Sequence, residues 1–327
     1  MTTAYLALDQ GTTSTRAAVF DTSGCLICLA QKEFKQIFPQ DGWVEHDLEE
    51  IWQTCIEVIA EATTEARRQG HKVKAMGITN QRETTCIWNR GTGVPVYNAI
   101  VWQDRRTSVF CGELSSAGHE TFVSERSGLL IDPYFSASKV RWILDNVPGA
   151  RQQAERGDLA FGTIETFLIW RLTGGKFHLT DATNAARTSL FDIRSGQWDR
   201  GLCELFGVPE SILGEVRDCT SIDVDTSVLE GDQLKILSSI GDQQSAAVGQ
   251  ACFEPGDIKS TYGTGGFLML NTGNLLVRSS NRLVSTIGLQ VGGTRTYALE
   301  GSIFVAGAVV QWLRDGMGLI KHASETS

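Results

Sequence analysis

One short pattern occurs twice in this chain and constrains its fold more than any other feature. The first copy is Leu-Asp-Gln-Gly-Thr-Thr at residues 8–13, and the second is Thr-Tyr-Gly-Thr-Gly-Gly at residues 261–266. Each copy places Gly-Thr in a tight turn between two predicted strands. Two domains of one ancestral fold, each with its own turn, would produce such a repeat. We therefore expect two related domains.

The length of 327 residues fits two domains. An apolar strand pattern at residues 234–240 stops at Gly241, and a small-residue helix is predicted to begin at Gln243. We place the first domain at residues 1–251 and the second at residues 252–327. The second is predicted to hold a hairpin, two more strands and one helix at about residues 304–317. It is short for a domain, so we expect it to be incomplete and leave open whether the chain works alone.

The first 80 residues predict three strands joined by hairpins, then a helix and a fourth strand. Apolar runs at residues 5–8 and 17–20 form the first hairpin. Asp47 is the predicted N-cap of the helix, with Glu50 closing a capping box. This order of elements opens the ribonuclease-H-like (actin-like) fold, so the predicted class is α/β, with a complete first domain and the start of a second. Residues 136–215 are predicted to be mainly helical.

Composition excludes several classes of protein. The formal net charge of −9 argues against nucleic acid as a partner. No apolar run reaches the ~18–20 residues of a membrane span, and the first residues do not resemble a secretory signal. Of the eight cysteines, Cys25 and Cys28 form one Cys-x-x-Cys, without a second pair at zinc-ligand spacing. We expect a cytoplasmic protein.

The first turn carries groups that could hold a phosphate. Glycine, threonine and serine between two strands leave backbone N–H groups free to form an anion nest, and their hydroxyls can also donate. Asp9 stands at the end of the preceding strand, where its carboxylate could hold magnesium through water. The alternative is an ordinary polar hairpin turn, because the same residue types are common in turns.

Polar and aromatic residues at three later positions suit a polyol. Arg82 and Glu83 are adjacent in a run of six polar residues and offer a donor fork and an acceptor. Trp102 and Tyr134 could pack against the C–H groups of a sugar or polyol. The alternatives are a solvated loop for the charged pair and core positions for the aromatic residues.

Asp242 is the candidate with the clearest chemical role. It follows an apolar strand and Gly241 and precedes a helix that begins with two glutamines. A carboxylate at this point can act as a general base that takes a hydroxyl proton during phosphate transfer. It can equally be the N-cap of the helix, and the sequence leaves both interpretations open.

Longer segments resemble the FGGY carbohydrate kinase family, and in particular its glycerol-phosphorylating members. The resemblance is nearly continuous from Tyr5 to Asp315. The segments that carry it are residues 8–14, 42–47 (Gly-Trp-Val-Glu-His-Asp), 77–85 (Gly-Ile-Thr-Asn-Gln-Arg-Glu-Thr-Thr), 98–103, 241–244 and 261–265. It implies the ribonuclease-H-like ATPase fold and the phosphorylation of glycerol to glycerol 3-phosphate, with ATP and Mg²⁺ as cofactors.

The resemblance also implies roles for individual residues. Asp242 matches the catalytic general base, and Asp9 and Asp242 match positions near the metal, which they would hold through water. The positions that match glycerol contacts are Arg82, Glu83, Trp102, Tyr134, Asp242, Gln243 and Phe267. The positions that match nucleotide contacts are Thr12, Thr13, Ser14, Arg16, Thr264, Gly307 and Gln311.

Two alternatives to this function remain open at this stage. One is a kinase for another small sugar or polyol on the same fold. The other is a polyol-binding fragment without catalysis, because the family's members are longer and the part without a counterpart here includes the loop that holds adenine. Self-association into a homo-oligomer is also left open.

Overall fold

The computed structural model of the chain describes residues 1–229, 234–263, 265–303 and 305–326, with the side chains of all of these except Ala308 and Gln311. The first elements are β1 (Thr2–Gln10), β2 (Ser14–Asp21), β3 (Leu26–Glu33), β4 (Glu45–His46), α1 (Leu48–Arg68), β5 (His71–Asn80), β6 (Cys86–Asn89), β7 (Ala99–Ile100), α2 (Ser108–Ser116) and α3 (Glu120–Ser127). The next are α4 (Ser136–Asn146), α5 (Ala150–Glu155), β8 (Leu159–Gly162), α6 (Ile164–Leu172), β9 (Leu179–Asp181), α7 (Ala182–Ala185), β10 (Phe191–Asp192), β11 (Gln197–Trp198), α8 (Arg200–Phe206), β12 (Glu215–Arg217), β13 (Val224–Asp225), β14 (Lys235–Gly241) and α9 (Asp242–Gly249). The last are β15 (Ile258–Tyr262), β16 (Gly266–Gly273), β17 (Val284–Val291), β18 (Thr294–Ile303) and α10 (Gly307–Gln311).

A six-stranded sheet in the order β13-β14-β5-β1-β2-β3 forms the centre of the N-terminal part. Tight turns make β1, β2 and β3 antiparallel neighbours. The helix α1 carries the chain back, so that β5 runs parallel to β1, and β14 in turn runs parallel to β5. The apolar face of α1 packs on this sheet through Ile51, Cys55, Val58 and Ile59. The predicted ribonuclease-H-like fold is confirmed.

Three parallel strands end at the same edge of this sheet. Gln10 at the end of β1 lies beside Asn80 at the end of β5, and Gly241 at the end of β14 lies on the other side of Asn80. The loops that follow these strands are therefore neighbours, as at the ligand-binding edge of other open α/β sheets.

The start of α1 confirms one prediction and corrects another. Asp47 is the N-cap, and its carboxylate accepts the backbone N–H of Glu49. Glu50 was expected to close a capping box, and this is wrong: its Oε1 accepts the backbone N–H of Lys35 at 3.0 Å. The reason is tertiary, since the segment after β3 passes the first turn of α1 and offers that donor.

The region of residues 136–215 is mainly helical, as predicted. Short strands interrupt the helices, because β8 pairs with β6 and β12 pairs with β9. The apolar faces of α4 and α8 form a second core with β6 and β8. Within the described ranges, no helix combines the length and the apolar character that crossing a membrane requires.

Residues 258–303 form a separate antiparallel sheet in the order β15-β16-β18-β17. Both copies of the repeated pattern therefore stand in hairpin turns, between β1 and β2 and between β15 and β16. The last predicted helix is shorter than expected: α10 begins at Gly307 and continues as a π-helical turn over Trp312–Gly316, and Phe304 lies outside the described residues. The domain boundary after residue 251 stays a prediction.

Candidate active site

A polar cleft opens where β1, β5 and β14 end, and the β15–β16 hairpin forms its opposite wall. Its volume is about 190 Å³. The residues lining it are Thr12, Arg82, Glu83, Trp102, Tyr134, Asp242, Gln243, Thr261, Gly263, Gly265 and Phe267. All the residues that the sequence assigned to polyol binding lie here, although they come from five separate segments of the chain.

Another cavity, between α1 and the start of β5, has fewer polar side chains that could act in catalysis. Its volume is about 240 Å³, and its lining is mainly apolar, with Arg67, His71 and Lys72 among the lining residues. No carboxylate is among its described lining residues, whereas Glu83 and Asp242 line the cleft at the strand ends. The cleft at the strand ends is therefore the candidate active site.

The loop after β5 holds Arg82 and Glu83 in a defined conformation. The N–H of Gln81 donates to the carbonyl of Gln10 at 2.8 Å, and the carbonyl of Glu83 accepts the hydroxyl of Ser136 at 3.0 Å. Glu83 has φ +59°, a left-handed conformation that costs a non-glycine residue about 1–3 kcal/mol. Arg82 and Glu83 are at most 2% exposed, so the solvated-loop alternative is wrong.

Arg82 and Glu83 belong to a ring of four buried charges, which we call the ion-pair ring. Around it, Arg82 Nη1 lies 2.6 Å from Glu300 Oε2, Arg187 Nη2 lies 2.8 Å from Glu300 Oε1, and Arg187 Nε lies 2.5 Å from Glu83 Oε1. The ring is widest between Arg82 Nε and Glu83 Oε1, which are 4.0 Å apart. Two positive and two negative side chains balance, which is how buried charges are tolerated.

The two carboxylates of the ion-pair ring differ in pKa because they receive different numbers of hydrogen bonds. Burial raises the pKa of Glu83, and the guanidiniums of Arg187 and Arg82 oppose it only in part. Burial acts on Glu300 too, but both guanidiniums outweigh it and hold the pKa of Glu300 at about 2. Arg82 reaches Glu300 through both of its Nη atoms. Nη1 of Arg187 is buried and has no hydrogen-bond partner within the described part of the chain.

Asp242 is the first residue of α9, and Gly241 is the N-cap. The N-cap alternative for Asp242 is therefore wrong. A Cβ at Gly241 would stand 2.8 Å from Cδ of Arg82, so only glycine lets the strand end approach that side chain so closely. Asp242 Oδ1 lies 3.3 Å from Arg82 Nε, and 35% of the Asp242 side chain is exposed.

The electrostatic surroundings of Asp242 suit proton transfer. Desolvation raises the pKa of Asp242, the guanidinium of Arg82 opposes this rise, and the charge of Asp9 adds to it. Burial likewise raises the pKa of Asp9, against the attraction of Arg16. A raised pKa makes a carboxylate a better proton acceptor near neutral pH.

Three aromatic rings form one wall of the cleft. Trp102 makes edge contacts with Tyr134 and Phe267, with ring centroids 5.8 and 5.9 Å apart. The indole N–H of Trp102 donates to the hydroxyl of Thr12 at 3.0 Å. Trp102 and Tyr134 also pack in a small hydrophobic core. These two residues therefore belong to a core and line the cleft at the same time.

Two glutamine side chains donate hydrogen bonds to backbone carbonyls of the first turn. Gln81 donates to the carbonyl of Gly11 at 3.1 Å, and Gln36 donates to the carbonyl of Thr12 at 3.0 Å. In a trans peptide the N–H points opposite to the carbonyl, so the N–H groups of Thr12 and Thr13 point away from these glutamines. This orientation is what an anion nest requires.

The other predicted residues of the first turn lie in different surroundings. Thr13 is exposed, whereas Ser14 is buried and its Oγ accepts from Gln31 at 3.2 Å. Arg16 lies outside the cleft lining and pairs with Asp9 at 3.4 Å. Ser14 thus supports the turn, while Thr13 remains accessible.

The second turn also reaches the cleft. Its Gly263 N–H donates to the carbonyl of Gly265 at 2.9 Å, and the N–H of Gly307 donates to the carbonyl of Gly263 at 2.8 Å. Gly307, the first residue of α10 and a predicted nucleotide contact, is therefore hydrogen-bonded to this turn. Thr264 and the side chain of Gln311 lie outside the described residues.

Sequence reasoning missed Arg187 and Glu300, two members of the ion-pair ring. Glu300 stands in β18 directly after Tyr297, Ala298 and Leu299, and a charge that follows such an apolar run is a signal, because charged residues are buried only when paired. Arg187 follows the short helix α7 and has no comparable local signal.

Comparison with known proteins shows which protein family this chain is similar to. Residues 4–249 match the N-terminal domain of the FGGY family of carbohydrate kinases. A glycerol kinase from Ectopseudomonas mendocina is 58% identical over 322 residues, which cover 98% of this chain and 65% of that protein. A crystal structure of Plasmodium falciparum glycerol kinase with ADP has a TM-score of 0.91 and 37% identity, covering 99% of this chain and 65% of that chain.

A more distant structure shares the fold. Xylulose kinase from Rhodospirillum rubrum has a TM-score of 0.86 at 20% identity. The chain spans 65% of the length of the two glycerol kinases. Because the matched domain covers most of the chain, this protein belongs to the FGGY family of carbohydrate kinases.

Proposed function

We propose that the chain provides the polyol site and phosphate turns of an ATP-dependent kinase that converts glycerol to glycerol 3-phosphate. The observation that carries the proposal is the arrangement of the cleft, where a charged pair, a carboxylate and an aromatic wall face two phosphate turns. The similar proteins named glycerol kinase, one of them with ADP, support this substrate and this nucleotide.

Arg82 and Glu83 bind the hydroxyls of the polyol. Arg82 donates to one hydroxyl oxygen, and Glu83 accepts the proton of the same or a neighbouring hydroxyl. Trp102, Tyr134 and Phe267 cover the C–H groups, since these rings form one wall of the cleft. Such a site positions the terminal hydroxyl for attack in line with the transferred phosphate.

Asp242 is the general base. It takes the proton of the attacking hydroxyl as the oxygen–phosphorus bond forms. Gln243 lies beside it, with its Oε1 held by Lys259 at 2.5 Å, and orients its amide toward the polyol. Thr12, Thr13, Ser14, Arg16, Thr264, Gly307 and Gln311 bind or support the nucleotide at the two turns.

The carboxylates of Asp9 and Asp242 fit a Mg²⁺ site. They are close enough for the charge of Asp9 to affect the pKa of Asp242, and Mg²⁺ typically takes one or two carboxylates together with water and substrate phosphates. The described residues hold no cluster of three or more metal-binding side chains, so Asp9 and Asp242 would act through water. When bound, the ion neutralises charge on the transferring phosphate.

Glycerol titration and product formation test this function. We expect saturable glycerol binding by calorimetry, and an assay with millimolar ATP and Mg²⁺ tests whether the chain by itself forms glycerol 3-phosphate. In a kinase of the full length of its relatives, Asp242→Asn should keep glycerol binding and lower kcat at least ~10²-fold, the low end for general acid–base catalysis. Absence of glycerol binding would contradict the proposal, and unchanged turnover in the variant would remove Asp242 from the reaction.

A substitution of Glu83 tests the polyol site separately. Glu83→Ala leaves a glycerol hydroxyl and Arg187 Nε without their acceptor, which should weaken glycerol binding by about 1–3 kcal/mol. The matched control is Glu49→Ala, at an exposed glutamate that does not line the cleft, and it should bind glycerol like the original chain. Tighter binding of another polyol in the same titrations would change the assigned substrate.

We place the protein in the cytoplasm. All eight cysteines are free thiols, including the exposed Cys25, and free thiols persist in reducing compartments. Cell fractionation with an antibody against the chain tests this location, and recovery outside the cytoplasm would contradict it.

A further inference from the structure

Two buried residues outside the proposed polyol contacts hold Arg82 and Glu83 in place. Glu300 accepts two N–H groups of Arg82, at 2.6 and 3.2 Å. Arg187 donates to Glu83 at 2.5 Å. Each of the two polyol-facing charges therefore has its own anchor.

The anchors are also bonded to each other. Arg187 Nη2 donates to Glu300 Oε1 at 2.8 Å, and the hydroxyl of Ser302 donates to the same oxygen at 3.2 Å. The side chains of Arg187 and Glu300 are fully buried. Because Arg82 follows β5 of the first sheet and Glu300 lies in β18 of the second, the ion pair of these two residues connects the two sheets.

This arrangement keeps two opposite charges apart. Arg82 Nε and Glu83 Oε1 are 4.0 Å apart, whereas a direct guanidinium–carboxylate hydrogen bond spans about 2.7–2.9 Å. Without their anchors, the attraction between Arg82 and Glu83 would draw them into such a bond. Their donor and acceptor would then satisfy each other instead of a ligand.

We propose that Arg187 and Glu300 form a positioning pair that holds Arg82 and Glu83 apart, so that a polyol hydroxyl can accept from one and donate to the other. This inference rests on the proposed function. It predicts selectivity as well as affinity, because a site that keeps a donor and an acceptor open rejects an analogue that lacks the hydroxyl.

A charge-neutral double substitution tests the pair. Arg187→Met with Glu300→Gln removes one positive and one negative charge, and replacing a buried ion pair as a unit often leaves stability unchanged. Glycerol, 1,2-propanediol and 1,3-propanediol are titrated by calorimetry. The original chain should prefer glycerol over at least one diol by about 10-fold or more, and the double variant should lose about 10-fold in glycerol affinity together with that preference.

The matched control is Arg171→Met with Glu49→Gln, which removes a bidentate ion pair outside the cleft lining and should change neither value. Circular dichroism checks the folding of each variant. If the double variant does not fold, Glu300→Asp shortens the anchor of Arg82 while keeping its charge, and the same loss of preference is expected there.

Three outcomes separate the inference from the proposed function. If the original chain binds no glycerol, both fall. If it binds glycerol and the folded double variant keeps affinity and preference, the positioning role is wrong and the proposed function stands. If Glu300→Asp has to be used and binds glycerol and the diols like the original chain, the positioning role is wrong as well.

Discussion

Two groups of buried carboxylates lie near the edge where β1, β5 and β14 end, and they are neutralised in different ways. In the ion-pair ring, Glu83 and Glu300 are paired with two guanidiniums. In the second group, which we call the hydroxyl cluster, Glu165 and Asp181 bind hydroxyl, amide and thiol groups, and neither forms an ion pair within the described ranges. The two groups are equally buried, so burial alone does not determine how a carboxylate behaves.

The hydroxyl cluster satisfies each carboxylate with neutral donors. Glu165 Oε1 accepts three hydroxyls, each at 2.7 Å, and Glu165 Oε2 accepts the amide of Asn80 at 2.9 Å. The hydroxyls belong to Thr163, Thr166 and Thr180. Asp181 caps α7 through the N–H of Thr183 and accepts the amide of Asn184 at 2.6 Å.

The difference in hydrogen-bond partners gives the carboxylates Glu165 and Glu300 different pKa values. Burial and the charge of Asp181 raise the pKa of Glu165 to about 7, whereas guanidiniums hold the pKa of Glu300 at about 2. Glu300 therefore stays charged within the ion-pair ring. The cluster instead supports the strand ends: Asn80 ends β5, and the hydroxyl of Thr183 accepts the N–H of Gly241, the residue before Asp242.

The largest expected effect comes from breaking the ion-pair ring on one side. Arg187→Met leaves Glu83 and Glu300 buried with one guanidinium between them, which should lower the free energy of unfolding by about 3–5 kcal/mol. Urea unfolding measures the change, with Arg171→Met as the control, because Arg171 is partly exposed and pairs with the exposed Glu49. A loss below about 1 kcal/mol, the range of a surface pair, would show that the ring does not depend on paired charges.

Glu165 of the hydroxyl cluster should respond to pH in the opposite direction from Glu300 of the ring. Glu165 has a folded-state pKa of about 7, above its usual 4.5. Its contribution to stability is therefore fully present below pH 4.5 and is lost as pH rises to about 7, at up to about 1.4 kcal/mol per pH unit. Glu300, with its pKa lowered from 4.5 to about 2, loses its contribution as pH falls through that window.

Glu165→Gln should remove most of that slope between pH 4.5 and about 7. Burial also raises the pKa of Asp181, so a smaller slope of the same sign should remain. Urea unfolding at several pH values compares the variant with the original chain. Parallel stability curves for the two proteins would mean that Glu165 does not titrate in this range.

A single hydroxyl tests how the cluster supports Asp242. Thr183→Val removes the acceptor of the Gly241 N–H, which lies 2.9 Å away, and also a donor to Asp181. A buried N–H left without a partner should cost about 1–3 kcal/mol of stability. Thr183→Ser keeps the hydroxyl and is the control; a Thr183→Val variant as stable as the original chain would show that the hydroxyl does not support the Gly241 N–H.

A threonine-to-valine substitution at the cleft should have the smallest effect on stability. Thr12→Val removes the acceptor of the Trp102 indole N–H, but Thr12 is partly exposed at the turn. Water can replace it, so we expect a loss of no more than about 0.5–1.5 kcal/mol. Urea unfolding of Thr12→Val and Thr183→Val side by side gives the comparison, and a larger loss at Thr12 would reverse the order proposed for the two regions.

Local features were predictable from the sequence because their signals lie within a few residues. The β1–β2 hairpin, the N-cap Asp47 and the strand before Asp242 follow from turn residues, capping residues and apolar periodicity. The polyol residues were named with the help of the family resemblance, and the structure brings them to one cleft. Their catalytic and binding roles remain proposals.

The sequence by itself determined the repeated turns, the order of the first strands along the chain and the residue types that face the cleft. Only the tertiary structure decided which charges neutralise one another, and it paired Arg82 with Glu300 and Glu83 with Arg187. The same holds for Glu50, which bonds to Lys35 instead of closing its own helix. A turn or a cap depends on neighbouring residues, whereas a buried charge takes whichever partner the folded sheets bring within hydrogen-bond distance, and residues far apart in the chain carry no local signal of that pairing.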